Sequence, residues 1–149
     1  MKSLYEKNAL TEITDRINKL TPESQRLWGK MDVAQMMAHC TVALEMASGQ
    51  RKTDRIFIGR ILGPFFKASY SNDKPAPKNS PTGKEFIMVG EKDFDLEKKK
   101  LIEQATQFSE AGPDKCTTHP HSFFGKLSTE EWSKGMYKHL DHHLKQFGV

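Results

Sequence analysis

Residues 32–47 of this 149-residue chain, DVAQMMAHCTVALEMA, decide the fold class. Asp32 is a favourable N-terminal cap and Gln35 stands three positions later, which is the capping-box spacing that marks the start of a helix. From Asp32 to Gly49 the segment is apolar on nearly every face. Such a helix needs neighbours all round it. The segment therefore predicts a central helix in an all-α domain.

Three further segments predict long helices around it. Apolar residues recur every three or four positions from Ser3 to Leu20, and Thr21-Pro22 ends that pattern. Another helix fits Asp95–Ala111, and the last fits Ser128–Phe147, which opens with a second capping box. The chain is long enough for one core. We therefore predict that residues 1–149 form one four-helix bundle.

A long connection should join the second and third of these helices. Residues 55–70 are apolar but contain Gly59, Gly63 and Pro64, which favours a short or kinked helix. Three prolines between Ser71 and Gly90 predict an irregular loop, with a short extended piece at Phe86–Val89. A loop of this length is either a lid over a site or a segment that only packs on the bundle. Both readings stay open at the level of sequence.

Composition disfavours several classes of partner. The 23 basic and 19 acidic residues give a formal charge of +4 and are interspersed, and the run Lys98–Lys100 follows Glu97 as on a solvated helix face. We therefore expect no nucleic-acid partner. No apolar run resembles an export signal or a membrane span, so we expect a cytoplasmic protein without a membrane partner. Cys40 and Cys116 are then expected to be free thiols.

The last helix carries histidines at a spacing typical of metal sites. In helical projection His139 and His143 fall on the apolar side, near Trp132 and Met136, whereas His142 falls near the polar flank. An i, i+4 pair can aim two ring nitrogens at one point. These residues could instead be surface histidines, or core histidines bonded to backbone carbonyls. The pair alone leaves metal binding and a structural role open.

A third histidine strengthens the metal hypothesis. His39 lies in the most apolar helix, where a lone histidine is more often a satisfied core residue than a ligand. Its significance comes from combination, because three imidazoles are the usual minimum for an open catalytic metal site. Gln35 and Gln146 could orient a ligand. The segment from Cys116 through His119 to His121 reads as a surface loop, with a contribution to the site mouth as the alternative.

Two segments, MDVAQMMAHC at 31–40 and FFGKLSTEEWSKGMYKHLDHHLKQFG at 123–148, resemble the DinB-like superfamily, in a branch whose function is not established. The resemblance follows the helix order over nearly the whole chain. It implies a four-helix bundle with an up-up-down-down arrangement, consistent with the long crossover connection. It also implies a metal triad of one histidine from the second helix and two from the last. By position these are His39, His139 and His143, although the neighbouring Cys40 and His142 could complicate the assignment.

The resemblance and the donor set together suggest a function. Three neutral imidazoles suit a divalent transition metal, with Zn, Ni or Fe the best fits, over Mg or Ca. Some relatives in the superfamily are metal-dependent transferases that use low-molecular-weight thiols. We therefore expect an S-transferase or hydrolase that activates thiol or water for a small-molecule substrate, with no catalytic residue yet assignable. A non-catalytic metal- or ligand-binding stress-response bundle is the alternative, and a homodimer is a possible assembly because dimers are common in the superfamily. A metal-free interaction bundle would place His39 far from the other two.

Overall fold

The structure is a computed structural model that describes residues 1–149. It is all-helical, as predicted, with five α-helices and no strand. The helices are α1 (Lys7–Asn18), α2 (Val33–Ala47), α3 (Phe57–Tyr70), α4 (Phe94–Ala111) and α5 (Thr129–Gln146), and two short 3₁₀ helices span Lys84–Phe86 and Pro113–Lys115. None of the helices is both long enough and apolar enough to span a bilayer.

Local capping signals set the starts of the two helices that carry the histidines. Asp32 accepts a hydrogen bond from the Gln35 backbone N–H, and the Gln35 side chain accepts one from the Asp32 N–H. Ser128 and Glu131 form the same reciprocal pair at the start of α5. Both capping boxes satisfy backbone donors that a helix start otherwise leaves free. The two capping boxes therefore fix where the helices that carry His39, His139 and His143 begin.

The first helix begins later than its periodicity suggests. It starts at Lys7 rather than Ser3, and Leu4 is buried without being helical. The Ser3 hydroxyl lies 2.8 Å from the Ser133 hydroxyl, and the Tyr5 N–H donates to the same oxygen at 3.0 Å. These bonds tie the segment to α5, and a tertiary contact thus replaces the first helical turn.

One core joins the long helices. α2 packs against α4 and α5, and α1 packs against the same two helices, so α4 and α5 each contact both. A single cluster of 23 buried apolar residues joins α1, α2, α4 and α5 with the segments that flank them, and α2 is the most buried of these helices. Packing on two sides explains why α2 has almost no polar face. It also brings the His39 turn of α2 against the C-terminal half of α5.

The connection between α2 and α4 differs in detail from the expectation. Residues 57–70 form a 14-residue helix with Pro64 inside it, which excludes the short form of the prediction and leaves the kinked form as a prediction, and this α3 packs on α5. Residues 71–90 are irregular as predicted apart from one 3₁₀ turn, and Ile87 has extended backbone angles within the expected extended piece. Its start, Phe86, ends the first 3₁₀ helix, and that turn packs on α2. The connection therefore passes over the part of α2 that carries His39.

Candidate metal centre

His39, His139 and His143 meet between α2 and α5. One ring nitrogen from each lies within 4.8 Å of the others, which is close enough to share an ion. The Nε2 atoms of His39 and His139 are 3.0 Å apart. The ring centroid of His143 is 4.7 Å from those of both other histidines. The separation that a metal-free interaction bundle would require is thus absent.

A backbone carbonyl orients His39. Its Nδ1 lies 3.0 Å from the carbonyl oxygen of Phe86, which can only accept a hydrogen bond, so Nδ1 carries the proton. The neutral ring then leaves Nε2 unprotonated, and this is the atom that faces His139. Metal-bound histidines usually donate their other N–H to such an acceptor. The 3₁₀ turn at residues 84–86 therefore sets both the tautomer and the direction of the ring.

Gln146 does the same for His143. The His143 Nδ1 lies 2.8 Å from the Gln146 Oε1, while the Gln146 Nε2 donates to the Trp28 carbonyl oxygen at 2.7 Å. Because the amide nitrogen is used by that carbonyl, Oε1 is the acceptor and His143 Nδ1 is the donor. The His143 Nε2 is left free toward the other rings. Gln146 is buried, so its amide is held in this orientation from both ends.

Burial keeps the three rings neutral. His39 and His143 are buried and His139 is partly exposed. Loss of hydration lowers the pKa of His143 to about 3 and lowers the pKa of His39, and burial together with the nearby rings lowers that of His139 well below its usual value. Neutral imidazole is the form that binds metal. The cluster is therefore ready to bind an ion at neutral pH without first losing protons.

The cluster contains no carboxylate. The nearest acid along α5, Asp141, points to the opposite side, where it pairs with Arg16 at 2.8 Å and Lys145 at 2.7 Å. Those two cations lower the pKa of Asp141 against the effect of its burial. An ion held by the three imidazoles would thus keep its full charge of two, because none of its ligands is anionic.

The neighbouring His142 and Cys40 lie outside the cluster. The His142 ring sits 5.6 Å from the Trp28 ring and borders a cavity of about 630 Å³ that none of the three clustered histidines lines. The Cys40 sulfur is 3.8 Å from the Met36 sulfur, in the core. Burial raises the pKa of the Cys40 thiol, so it stays protonated and is a poor ligand.

The segment 116–121 is structural rather than part of the cluster. His119 Nε2 bonds to the Thr53 carbonyl at 2.9 Å, and His121 Nδ1 accepts from the N–H groups of Phe123 and Phe124. The Cys116 thiol contacts the Ala47 carbonyl. His119 and His121 are both partly buried and bonded to backbone groups, so this segment is less exposed than a surface loop. Neither histidine belongs to the cluster of His39, His139 and His143.

Sequence reasoning found the histidines but missed what holds them. Gln35 and Gln146 were predicted to orient a ligand; Gln146 instead bonds His143, three positions before it, and Gln35 serves the helix cap and bonds the Gly90 carbonyl. Phe86 is 47 positions from His39 and acts through its backbone, so no residue-type signal reveals it. The Trp28 carbonyl, which accepts from Gln146, is likewise a backbone group that no residue type indicates.

The connection 71–90 also borders the site with side chains. The Phe86 ring centroid is 5.5 Å from that of His39. The Lys78 ammonium lies 4.2 Å from the centre of the Trp28 ring, whose neighbour is His142. The loop thus packs beside His39 and Trp28, and a function as a lid stays a prediction.

Comparison with known proteins gives a family but no activity. No curated protein matches the chain, and no solved structure matches it either. A family model with the description "Protein of unknown function (DUF1569)" covers residues 2–148, which is nearly the entire chain, and the chain therefore belongs to that family.

Proposed function

We propose that this chain is a DinB-like, metal-dependent enzyme, with an up-up-down-down four-helix bundle that holds one divalent transition metal through His39, His139 and His143. Zn, Ni or Fe suits three neutral imidazoles best. The proposed activity is that of an S-transferase or a hydrolase on a small-molecule substrate. The nucleophile would be a low-molecular-weight thiol or water.

The observation that carries this proposal is the pair of hydrogen bonds behind the cluster. The Phe86 carbonyl and the Gln146 amide oxygen each accept a hydrogen bond from the Nδ1–H of one ring, which leaves the Nε2 lone pairs of His39 and His143 free. Histidines that only fill a core would bond their inward nitrogens to backbone groups. Here the Nε2 atoms of His39 and His139 contact each other at 3.0 Å, and a shared cation would satisfy all three rings at once.

The charge at the cluster suits activation of a nucleophile. A bound divalent ion would lower the pKa of a coordinated water or thiol toward or below neutrality, and it would do so strongly because no ligand carries a negative charge. His139 is the one member of the three that is not fully buried. Phe86 covers His39 and limits access there. The protons released would pass to solvent, since the cluster contains no carboxylate.

The alternative is a bundle that holds metal or a small ligand without turnover, as in a stress-response protein. The Phe86 ring, 5.5 Å from that of His39, is the feature that favours it, because cover on this side restricts the approach of a substrate to the ion. The two proposals differ in whether the ion keeps an exchangeable position.

Cobalt substitution tests the proposal. The Co²⁺-loaded protein is titrated with 2-mercaptoethanol while the near-ultraviolet spectrum is recorded, beside a His142→Ala control that leaves the cluster intact. A saturable thiolate-to-cobalt band in both proteins supports thiol activation and directs an activity screen to electrophilic substrates. A pH-dependent change of the cobalt spectrum without a thiolate band favours water and hydrolysis. A spectrum that responds to neither supports the non-catalytic alternative and removes the enzyme proposal.

A further inference from the structure

Helix α3 turns its large apolar side chains outward. Six of them are exposed, and Phe57 and Phe65 are the extremes at 77% and 81%. They form two adjacent rows, each with i, i+4, i+8 spacing: Phe57, Ile61 and Phe65 in one, and Ile58, Leu62 and Phe66 in the other. Exposed apolar residues scattered singly are ordinary, whereas a contiguous group of this kind marks an interaction surface.

The inward side of α3 is made of glycine. Gly59 and Gly63 are buried against the loop at residues 122–124, and a Cβ on Gly63 would overlap the carbonyl oxygen of Phe123. The helix thus packs its smallest residues inward and leaves its largest outside, which reverses the usual distribution. Packing within one chain leaves the outer rows without a partner.

The surface is large enough for a stable interface. The three phenylalanines, which are 51–81% exposed, present roughly 400 Å² if each side chain carries about 200 Å². Ile58, Ile61 and Leu62 enlarge the patch toward the ~800 Å² per partner of an ordinary specific interface. Monomeric proteins seldom expose apolar patches beyond about 300–600 Å².

We propose that the outer face of α3 docks against the same face of a second copy of this chain. Two neighbouring i±4 rows leave a groove between them, and a row of an identical helix fits such a groove, in the commonest class of helix packing at about −50°. The 14 residues of α3 span about 21 Å, enough for three side chains per row. A two-fold contact of this kind is self-complementary and closed.

The charges around α3 argue against a lipid surface as the occupant. The helix has no acidic residue and only two basic ones, Arg60 and Lys67. Lys67 is paired with Glu131 at 3.1 Å, which leaves Arg60 alone to attract anionic lipid. One basic residue contributes only about 1 kcal/mol to such binding. An apolar protein surface is a better partner for the outer face of α3 than a lipid surface. The same face on a second copy of the chain is such a surface.

Sedimentation equilibrium of the full chain at about 1–100 µM tests the proposal, since a specific interface of this size corresponds to affinities near or below that range. The parent is expected at twice the 17.0 kDa mass of one chain. Phe65→Glu should raise the dimer dissociation constant by at least about a hundredfold, because the charge enters both halves of the interface. Val89→Glu is the matched control, since Val89 is 73% exposed outside α3. Far-ultraviolet circular dichroism verifies folding.

A cysteine cross-link gives an independent measurement. Both native cysteines are buried, so Ile61→Cys adds the one accessible thiol, and mild oxidation should yield a covalent dimer that Leu27→Cys does not. A monomeric parent, or a Phe65→Glu variant as dimeric as the parent, overturns the proposal. So does a monomeric parent that co-sediments with phosphatidylserine vesicles, which would assign the face to lipid. None of these readouts depends on metal.

Discussion

Substitution of Gln146 by leucine separates the positioning of His143 from the stability of the fold. Leucine has a similar size but leaves the His143 Nδ1–H and the Trp28 carbonyl without their partners at 2.8 Å and 2.7 Å. Loss of a partner that orients a metal ligand typically costs 10–100-fold in affinity, or about 1.4–2.7 kcal/mol. The two orphaned groups should together lower the free energy of unfolding of the metal-free protein by about 2–4 kcal/mol.

Gln146→Glu distinguishes the two effects. It keeps an acceptor for His143 but loses the donor to Trp28, so we expect reduced stability with metal affinity at or above the parent level. Competition against a chromophoric zinc chelator gives the affinity, and urea unfolding of the metal-free protein gives the stability. Gln50→Leu, which breaks an exposed pair with Gln104, is the control and should change neither. If Gln146→Leu binds zinc as tightly as the parent, His143 does not need a hydrogen bond from its Nδ1–H to bind metal, and the proposed role of Gln146 is refuted.

Two further predictions concern the surroundings of the site. Gly63→Ala should lower the free energy of unfolding by about 1–3 kcal/mol because its Cβ would overlap the Phe123 carbonyl, whereas Ser69→Ala on the exposed side should not; equal urea midpoints would contradict this close packing. Burial and the nearby Arg55 lower the pKa of His121 to about 4. Between about pH 6.5 and pH 4, His121 is therefore protonated in the unfolded chain but neutral in the folded one. Protonation of His121 on unfolding should lower the free energy of unfolding by about 2 kcal/mol between pH 7 and pH 5. Urea unfolding of His121→Asn should not show this loss. If the parent and the variant show the same pH dependence, His121 is not kept neutral by the fold.

Local signals predicted the helices that carry the candidate site. The capping boxes at Asp32 and Ser128 depend on residues three positions apart, so the sequence contains all that is needed to find them. The start of α1 was predicted wrongly because Ser3 and Tyr5 bond to Ser133, which is 130 positions away from the first of them. Contacts at that separation leave no periodic trace in the chain.

In the candidate site, too, the features that depend on local sequence were predictable and those that depend on distant contacts were not. The i, i+4 spacing of His139 and His143 and the apolar face of His39 favoured a shared site, the resemblance assigned the triad, and the three rings do meet. The Phe86 carbonyl was not predictable, because any residue has one and its position depends on the path of residues 71–90. The choice between a short and a long α3 was not predictable for a related reason. Glycines that break an isolated helix are favoured at Gly59 and Gly63, where the loop 122–124 approaches closely.

The metal content of the purified, untagged chain tests the central claim most directly. Elemental analysis would compare the parent with His39→Ala, His139→Ala and His143→Ala after reconstitution with zinc, nickel or iron, with His142→Ala as the matched control. We predict about one ion per chain in the parent and in His142→Ala, and loss of the ion in each of the other three while circular dichroism stays unchanged. A parent that binds none of the three metals, or triad variants that retain the ion, would contradict a shared three-histidine centre.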